Sequence, residues 1–213
     1  MAAIYIHIPF CIQKCNYCNF FSTTNLKQIP AYIDTLKHEL SIRKNYLPDN
    51  KIDSLYIGGG TPSLLPLPII EDLLKSINNL FDISHAEITI EANPNNIDET
   101  YLKQLYQTAV NRLSIGVQSF YDEHLQVLKR VHSAKKAEQT IELAQKVGFK
   151  NLSIDLIYGI PNMTSLQWEN NLHKVKDIQH LSCYALTIEP HTLIATQIKK
   201  GILTPLDEEK IIE

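Results

Sequence analysis

No run of lysine or arginine interrupts the mixed charge of this 213-residue chain; Lys135-Lys136 and Lys199-Lys200 are isolated pairs. With a formal net charge of −3, that argues against a generic nucleic-acid partner. No apolar stretch approaches the roughly 20 residues that a membrane-spanning helix needs. The N-terminus, MAAIYIHIPF, has neither a basic lead nor a long apolar segment, so it reads as a strand and not as a signal peptide. The expected compartment is the cytoplasm, which is reducing. Cysteine is scarce as well. There are four, and three of them crowd into CIQKCNYC, as Cys11, Cys15 and Cys18. Three thiols cannot pair off in disulfides, and a structural zinc site closes with four protein ligands. In a reducing compartment clustered thiols bind metal or do redox chemistry.

What is present is a regular alternation of strand and helix. Ile4, Ile6 and Ile8 alternate with Tyr5 and His7. After Pro30, Ile33, Leu36 and Leu40 share a helical face. KIDSLYIGGG is a second strand ending in glycines, followed at helical spacing by Ile69, Ile70, Leu73, Leu74, Ile77 and Leu80. AEITIEANP is a third strand, and Asp98 caps the helix after it. VNRLSIGVQS, NLSIDLIYGIP and HLSCYALTIEP complete six strands. Helical material lies over about 121–147, broken near His132-Ser133 and closed by Gly148, and again over SLQWENNLHKVKDI.

Short connections between such units imply parallel strands with right-handed crossovers. A doubly wound sheet and a barrel both satisfy that, and face parity separates them. Leu113, Ile115 and Val117 oppose Ser114, Gly116 and Gln118; Leu152, Ile154 and Leu156 oppose Ser153 and Asp155; Ile88 and Ile90 oppose Thr89 and Glu91. One face is greasy and the other small or polar, whereas a sheet covered on both sides is apolar on both. The pattern predicts a partial β/α barrel of six strands, with function at the C-terminal strand ends. Residues 1–200 form this core. Thr204-Pro205-Leu206-Asp207 resembles a helix start, with Leu206, Ile211 and Ile212 beginning an apolar face, so 201–213 reads as the cut-off beginning of a C-terminal extension.

The cysteine spacing, C-x3-C-x2-C, falls directly after the first strand. Three thiolates on a four-iron cluster leave one iron open to an exogenous ligand. Zinc, with His7 as fourth ligand, is the competing reading. Cys183, inside an apolar strand, reads as a buried small hydrophobe.

YIHIPFCIQKCNYC resembles the cluster loop of the radical S-adenosylmethionine (SAM) superfamily, with Tyr17 at its aromatic place. GGGTPS at 58–63, EANP at 91–94, GVQSF at 116–120, LKR at 128–130 and DLIYGIP at 155–161 follow in the order of the oxygen-independent coproporphyrinogen III oxidases and their oxidase-like relatives. The resemblance covers essentially the whole chain. It implies a partial β/α barrel holding a [4Fe-4S] cluster on Cys11, Cys15 and Cys18, with SAM on the free iron. It further implies that Tyr5, Tyr17, Gly59, Gly60, Thr61, Glu91, Gln118, Arg130 and Asp155 contact SAM. The glycines bring backbone close to the methionyl ammonium, Glu91 and Asp155 accept from ribose hydroxyls or cationic groups, and Arg130 pairs with the carboxylate. In that family one electron from the reduced cluster cleaves SAM to methionine and a 5′-deoxyadenosyl radical.

Within the family, true oxidases carry a further cysteine two residues after the third. Here Asn19-Phe20 follows Cys18, and CNYCNFFS is similar to the oxidase-like heme chaperones instead. That resemblance implies heme or porphyrin, an electron-donor protein and a heme-accepting protein as partners of the full-length molecule. The oxidase activity and a structural zinc module are the alternatives. The family's heme-associated motif lies beyond residue 213, so residues 1–213 alone are expected to bind a cluster and to bind heme poorly.

Overall fold

Six strands pair side by side in chain order, β1 to β6, and every pairing is parallel. They are β1 (Ala3–Ile8), β2 (Ser54–Gly59), β3 (Glu87–Ala92), β4 (Arg112–Gln118), β5 (Asn151–Tyr158) and β6 (His180–Ala185). The helices are α1 (Ile29–Arg43), α2 (Leu67–Asn78), α3 (Glu99–Tyr106), α4 (Asp122–Val127), α5 (Ala134–Val147), α6 (Ser165–Lys174) and α7 (Leu193–Lys199). This computed structural model describes residues 2–47, 49–207 and 209. Sequential parallel order with a helix in each crossover is the partial (β/α)6 barrel that the face parity predicts.

The core follows the same parity. Leu55, Ile57, Ile88, Ile90, Leu113, Ile115, Leu152 and Ile154 are buried under helices that contribute Ile70, Leu73, Ile77, Leu102, Leu105 and Ala144. On the other face Thr89, Ser114 and Ser153 are also buried and fill the barrel floor. Glu91, Gly116 and Asp155, two residues further along their strands, are only half-buried. The polar inner face is thus solid below and open at the C-terminal end.

Local signals act where they stand in the sequence. The Asp98 carboxylate accepts from Tyr101 N at 2.7 Å, Ser133 accepts from Lys136 N at 3.2 Å, and Thr164 with Gln167 forms a reciprocal box at the start of α6. Pro30 lies inside the first turn of α1, and Leu36 and Leu40 of that helix are only partly buried. Gly148 closes α5 at φ +121°.

One expectation needs correction. Cys183 is exposed. Its strand β6 is paired with β5 on one side and with no described strand on the other, so burial fails at this open edge. Helix α7 is absent from the sequence reading; seven residues are too few to display a helical period. Its signal is Thr192, whose hydroxyl accepts from Ala195 N at 3.3 Å. At the suggested helix start, Thr204–Asp207 are not themselves helical but Glu209 is, and the rest of that segment lies outside the described residues. Among the described residues no helix is long and apolar enough to cross a membrane.

Candidate functional site

The cysteine loop leaves β1 at its C-terminal end and folds back over the barrel mouth. Cys11 N donates to Thr23 O (3.0 Å) and Thr23 N to Pro9 O (2.7 Å), which closes the loop at its base. Cys18 N donates to Cys15 O (3.3 Å), a tight turn that keeps the second and third thiols on one side. The loop and the strand ends enclose a cavity of about 540 Å³. Cys11, Cys15, Cys18, Tyr17, Gly59, Gly60, Thr61, Glu91, Gln118, Arg130 and Asp155 all line it. Residues nearly 150 positions apart meet there because every strand of a parallel barrel delivers its C-terminal end to the same rim.

Tyr5 is the one expected site residue outside that lining. It stands two residues before His7 on edge strand β1, 57% exposed, with its ring stacked on Tyr56 at 5.9 Å. Its hydroxyl lies 3.2 Å from His7 Nδ1, while His7 Nε2 lies 3.1 Å from the Phe21 carbonyl. Both ring nitrogens of His7 are therefore engaged, with Nε2 donating and Nδ1 accepting. That arrangement suits a hydrogen-bonded histidine better than a fourth zinc ligand.

The carboxylates are held in different ways. Glu91 accepts from Tyr56 Oη and from Gly59 N, each at 2.9 Å, so both of its oxygens are oriented by the protein. Asp155 accepts from Ser114 Oγ at 3.2 Å. Burial, helped by the nearby negative charge of Glu91, pushes the Asp155 carboxyl up to about 6. Burial likewise pushes up the Tyr17 hydroxyl and the Cys18 thiol. Burial opposes the charge on Arg130, yet Tyr17 and Cys15 beside it hold the guanidinium above its ordinary value.

Two donors are aimed at the thiols. Thr61 Oγ1 lies 3.7 Å from Cys11 Sγ, and Arg130 Nη1 lies 3.6 Å from Cys15 Sγ. Arg130 Nη2 donates to the Gly116 carbonyl at 2.6 Å, while its buried Nε has no protein partner. The guanidinium lines the cavity, where an anionic ligand could pair with it. Among the described residues no three His, Cys, Asp or Glu side chains converge as the ligand group of a single ion. A polynuclear cluster asks for a looser arrangement, since each thiolate takes its own iron. Three loop thiols, polar donors toward sulfur and a guanidinium in the cavity lining fit a cluster with an anionic co-ligand.

The glycines serve the wall itself before they serve any ligand. Gly59 has φ +113°, and a Cβ there would stand 2.6 Å from the His7 ring. We expect Gly59→Ala to destabilise the chain by about 1–3 kcal/mol, through strain and overpacking together; a shift of the urea midpoint at constant slope measures it. Gln118, at φ 69°, sits beyond a register shift in β4 that turns its side chain into the cavity. Sequence reasoning assigned no site role to Ser114, Gly116, Asn93, Tyr184, Thr187 or Glu189, all of which line the cavity. Strand parity would have found the first two; the last three follow from β6 and its loop, where no parity signal exists.

Fold and site together define a β/α barrel built to hold a thiolate-ligated cofactor at its C-terminal mouth. The chain belongs to the radical SAM superfamily, whose family model matches residues 5–175. It is 38% identical over 202 residues to a Haemophilus influenzae protein named heme chaperone HemW, covering 91% of this chain and 53% of that one. It is 37% identical to the Bacillus subtilis protein of the same name, covering 95% and 55%. The chain thus spans about half the length of the curated relatives it matches. Among solved structures it resembles the Escherichia coli coproporphyrinogen III oxidase HemN, a radical SAM enzyme, with a TM-score of 0.85 and 29% identity over 99% of this chain and 49% of that one. Membership of the superfamily implies a [4Fe-4S] cluster and SAM.

Proposed function

We propose that this chain is the cluster- and SAM-binding portion of a heme chaperone that passes heme to acceptor proteins in the cytoplasm. The observation that carries the reading is the segment after the third cysteine. Asn19 and Phe20 occupy the cavity rim, with Phe20 72% exposed, where the resemblance to true oxidases would require another cysteine. Relatives named heme chaperone at 36–39% identity support the same choice.

When bound, the cluster and SAM supply one-electron reduction and a source of a carbon radical. In this reading Cys11, Cys15 and Cys18 hold the cluster, while Thr61 and Arg130 donate toward two of the sulfurs. Glu91, fixed by Tyr56 and Gly59, and Asp155, fixed by Ser114, offer their remaining lone pairs to hydroxyl or ammonium groups of SAM. Arg130 pairs with its carboxylate, and Tyr17 closes one wall against water. An electron-donor protein would pass the electron to the cluster, and heme is held by the full-length molecule.

The second reading, oxidative decarboxylation of coproporphyrinogen III, is favoured by the likeness to the oxidase structure. An anaerobic assay of the full-length protein with its cluster reconstituted separates the two. We expect no sustained decarboxylation of coproporphyrinogen III, together with stoichiometric movement of bound heme into an apo-hemoprotein. Steady formation of protoporphyrinogen would overturn the chaperone reading.

A further inference from the structure

The cysteine loop contains one fully buried polar side chain that the cluster chemistry leaves unexplained. Asn16, between Cys15 and Tyr17, is 1% exposed. Its Nδ2 donates to Val127 O at 2.6 Å, where α4 ends, and to Gln197 Oε1 at 3.2 Å, in α7. Its own backbone carbonyl accepts from Ile194 N at 3.0 Å, one of the first-turn N–H groups of α7 that has no partner inside the helix. One residue therefore joins the loop to two elements more than 100 positions away.

The turn it grips is also the turn that faces the thiols. Residues 127–130 receive Asn16 at Val127 and Gln13 Nε2 at Lys129 O (3.3 Å), and Arg130 from the same turn reaches Cys15 Sγ. Lys129 has φ 52°, so this turn is bent to a particular shape. On the other side Tyr17 packs into the apolar group of Leu128, Ile157, Leu186 and Ile194, which α7 completes. Two acceptors converge on one amide nitrogen, so the position asks for a side chain with two N–H bonds. An aspartate of the same shape has none.

We infer that Asn16 is a positioning residue that latches the cysteine loop to the segment following β6, so that α7 as well as the barrel sets where Cys15 stands. The inference rests on the reading that the three thiols hold a cluster. It assigns α7, outside the alternation that builds the barrel, a part in holding the metal site.

The test uses the full-length protein, anaerobically reconstituted, as wild type, Asn16→Asp, Asn16→Ala and Gln197→Ala. The readouts are the rate of iron loss to a chelator and the electron paramagnetic resonance spectrum of the reduced cluster before and after SAM is added. Residues that orient metal ligands typically contribute 10–100-fold to metal affinity. Asn16→Asp is expected to lose iron about tenfold faster or more and to show an altered spectrum. Asn16→Ala and Gln197→Ala should follow in the same direction with smaller effects. Wild-type iron retention and an unchanged spectrum in Asn16→Asp would overturn the latch. Amide exchange of the cluster-free proteins supplies the independent arm: faster exchange confined to residues 11–18 and α7 supports it. Loss of protection extending to Leu73 and Ile77 in α2 would count against it, because Asn16 would then support the whole fold. If the wild type takes up no iron–sulfur cluster, the cluster reading fails by itself, and the exchange pattern still decides whether the latch exists.

Discussion

Cys15→Ala should leave a folded chain that no longer acquires its cluster. Of the three loop thiols, Cys15 is the one held by the Arg130 guanidinium, and the short turn to Cys18 places the third thiol relative to it. Removing it leaves two thiolates for a cluster that already relies on an exogenous ligand at one iron, and deprives Arg130 of its thiol acceptor. Iron and sulfide analysis with an anaerobic visible spectrum should show a near-complete loss against the reconstituted wild type. Cys183→Ala provides the internal control. Its thiol is exposed on β6, outside the cavity lining, and we expect wild-type iron content. A colourless wild-type protein that binds zinc stoichiometrically would instead point to the structural zinc module.

Asp155→Asn should make the cluster-free protein more stable at neutral pH while weakening SAM binding. Burial and the charge of Glu91 raise the Asp155 carboxyl from an ordinary 3.8 to about 6 in the folded chain. Between those values the folded state holds a proton that the unfolded state has released, so stability falls as pH rises through that window. Below it, Asp155 carries no penalty; above about 6 the folded chain bears the full cost of an ionised buried carboxylate. Two units correspond to about 3 kcal/mol. The amide oxygen of asparagine can still accept from Ser114, so the substitution removes the charge without orphaning that hydroxyl. Denaturant unfolding at pH 7.5 should show Asp155→Asn more stable by about 2–3 kcal/mol, with the gap closing below pH 4. A gap that persists at low pH would mean the gain has another origin. Equilibrium binding of SAM to the reconstituted protein should fall in the same variant, because a neutral amide attracts a cationic ligand less than a carboxylate does.

Much of this was legible because it is periodic or clustered. Alternation at Ser114, Gly116 and Gln118 against Leu113, Ile115 and Val117 marked which face would be polar. In a parallel barrel that face must point inward, and its upper end must form the site. The cap at Asp98 acts within three residues of itself, so no distant contact could overrule it. Cys183 was misjudged for the opposite reason. Hydrophobic neighbours describe a strand, but only the number of paired strands decides whether its outer side meets protein or solvent. Tyr5, on the other edge strand, stands exposed and outside the cavity lining, which its parity alone does not indicate.

The sequence by itself determined six strands alternating with helical segments, three thiols at the first strand end and polar residues at the ends of the third, fourth and fifth strands. Those are local facts, set by spacing and residue type. Only the tertiary structure decided which acceptors Asn16 meets and that α7 lies against the cysteine loop. A buried amide is defined by the acceptors around it, and here they come from residues 127 and 197, whose meeting with residue 16 depends on the closure of the chain over the barrel mouth. It also decided that Arg130 reaches a thiol as well as a prospective ligand. A long flexible side chain can be aimed only by the walls that confine it.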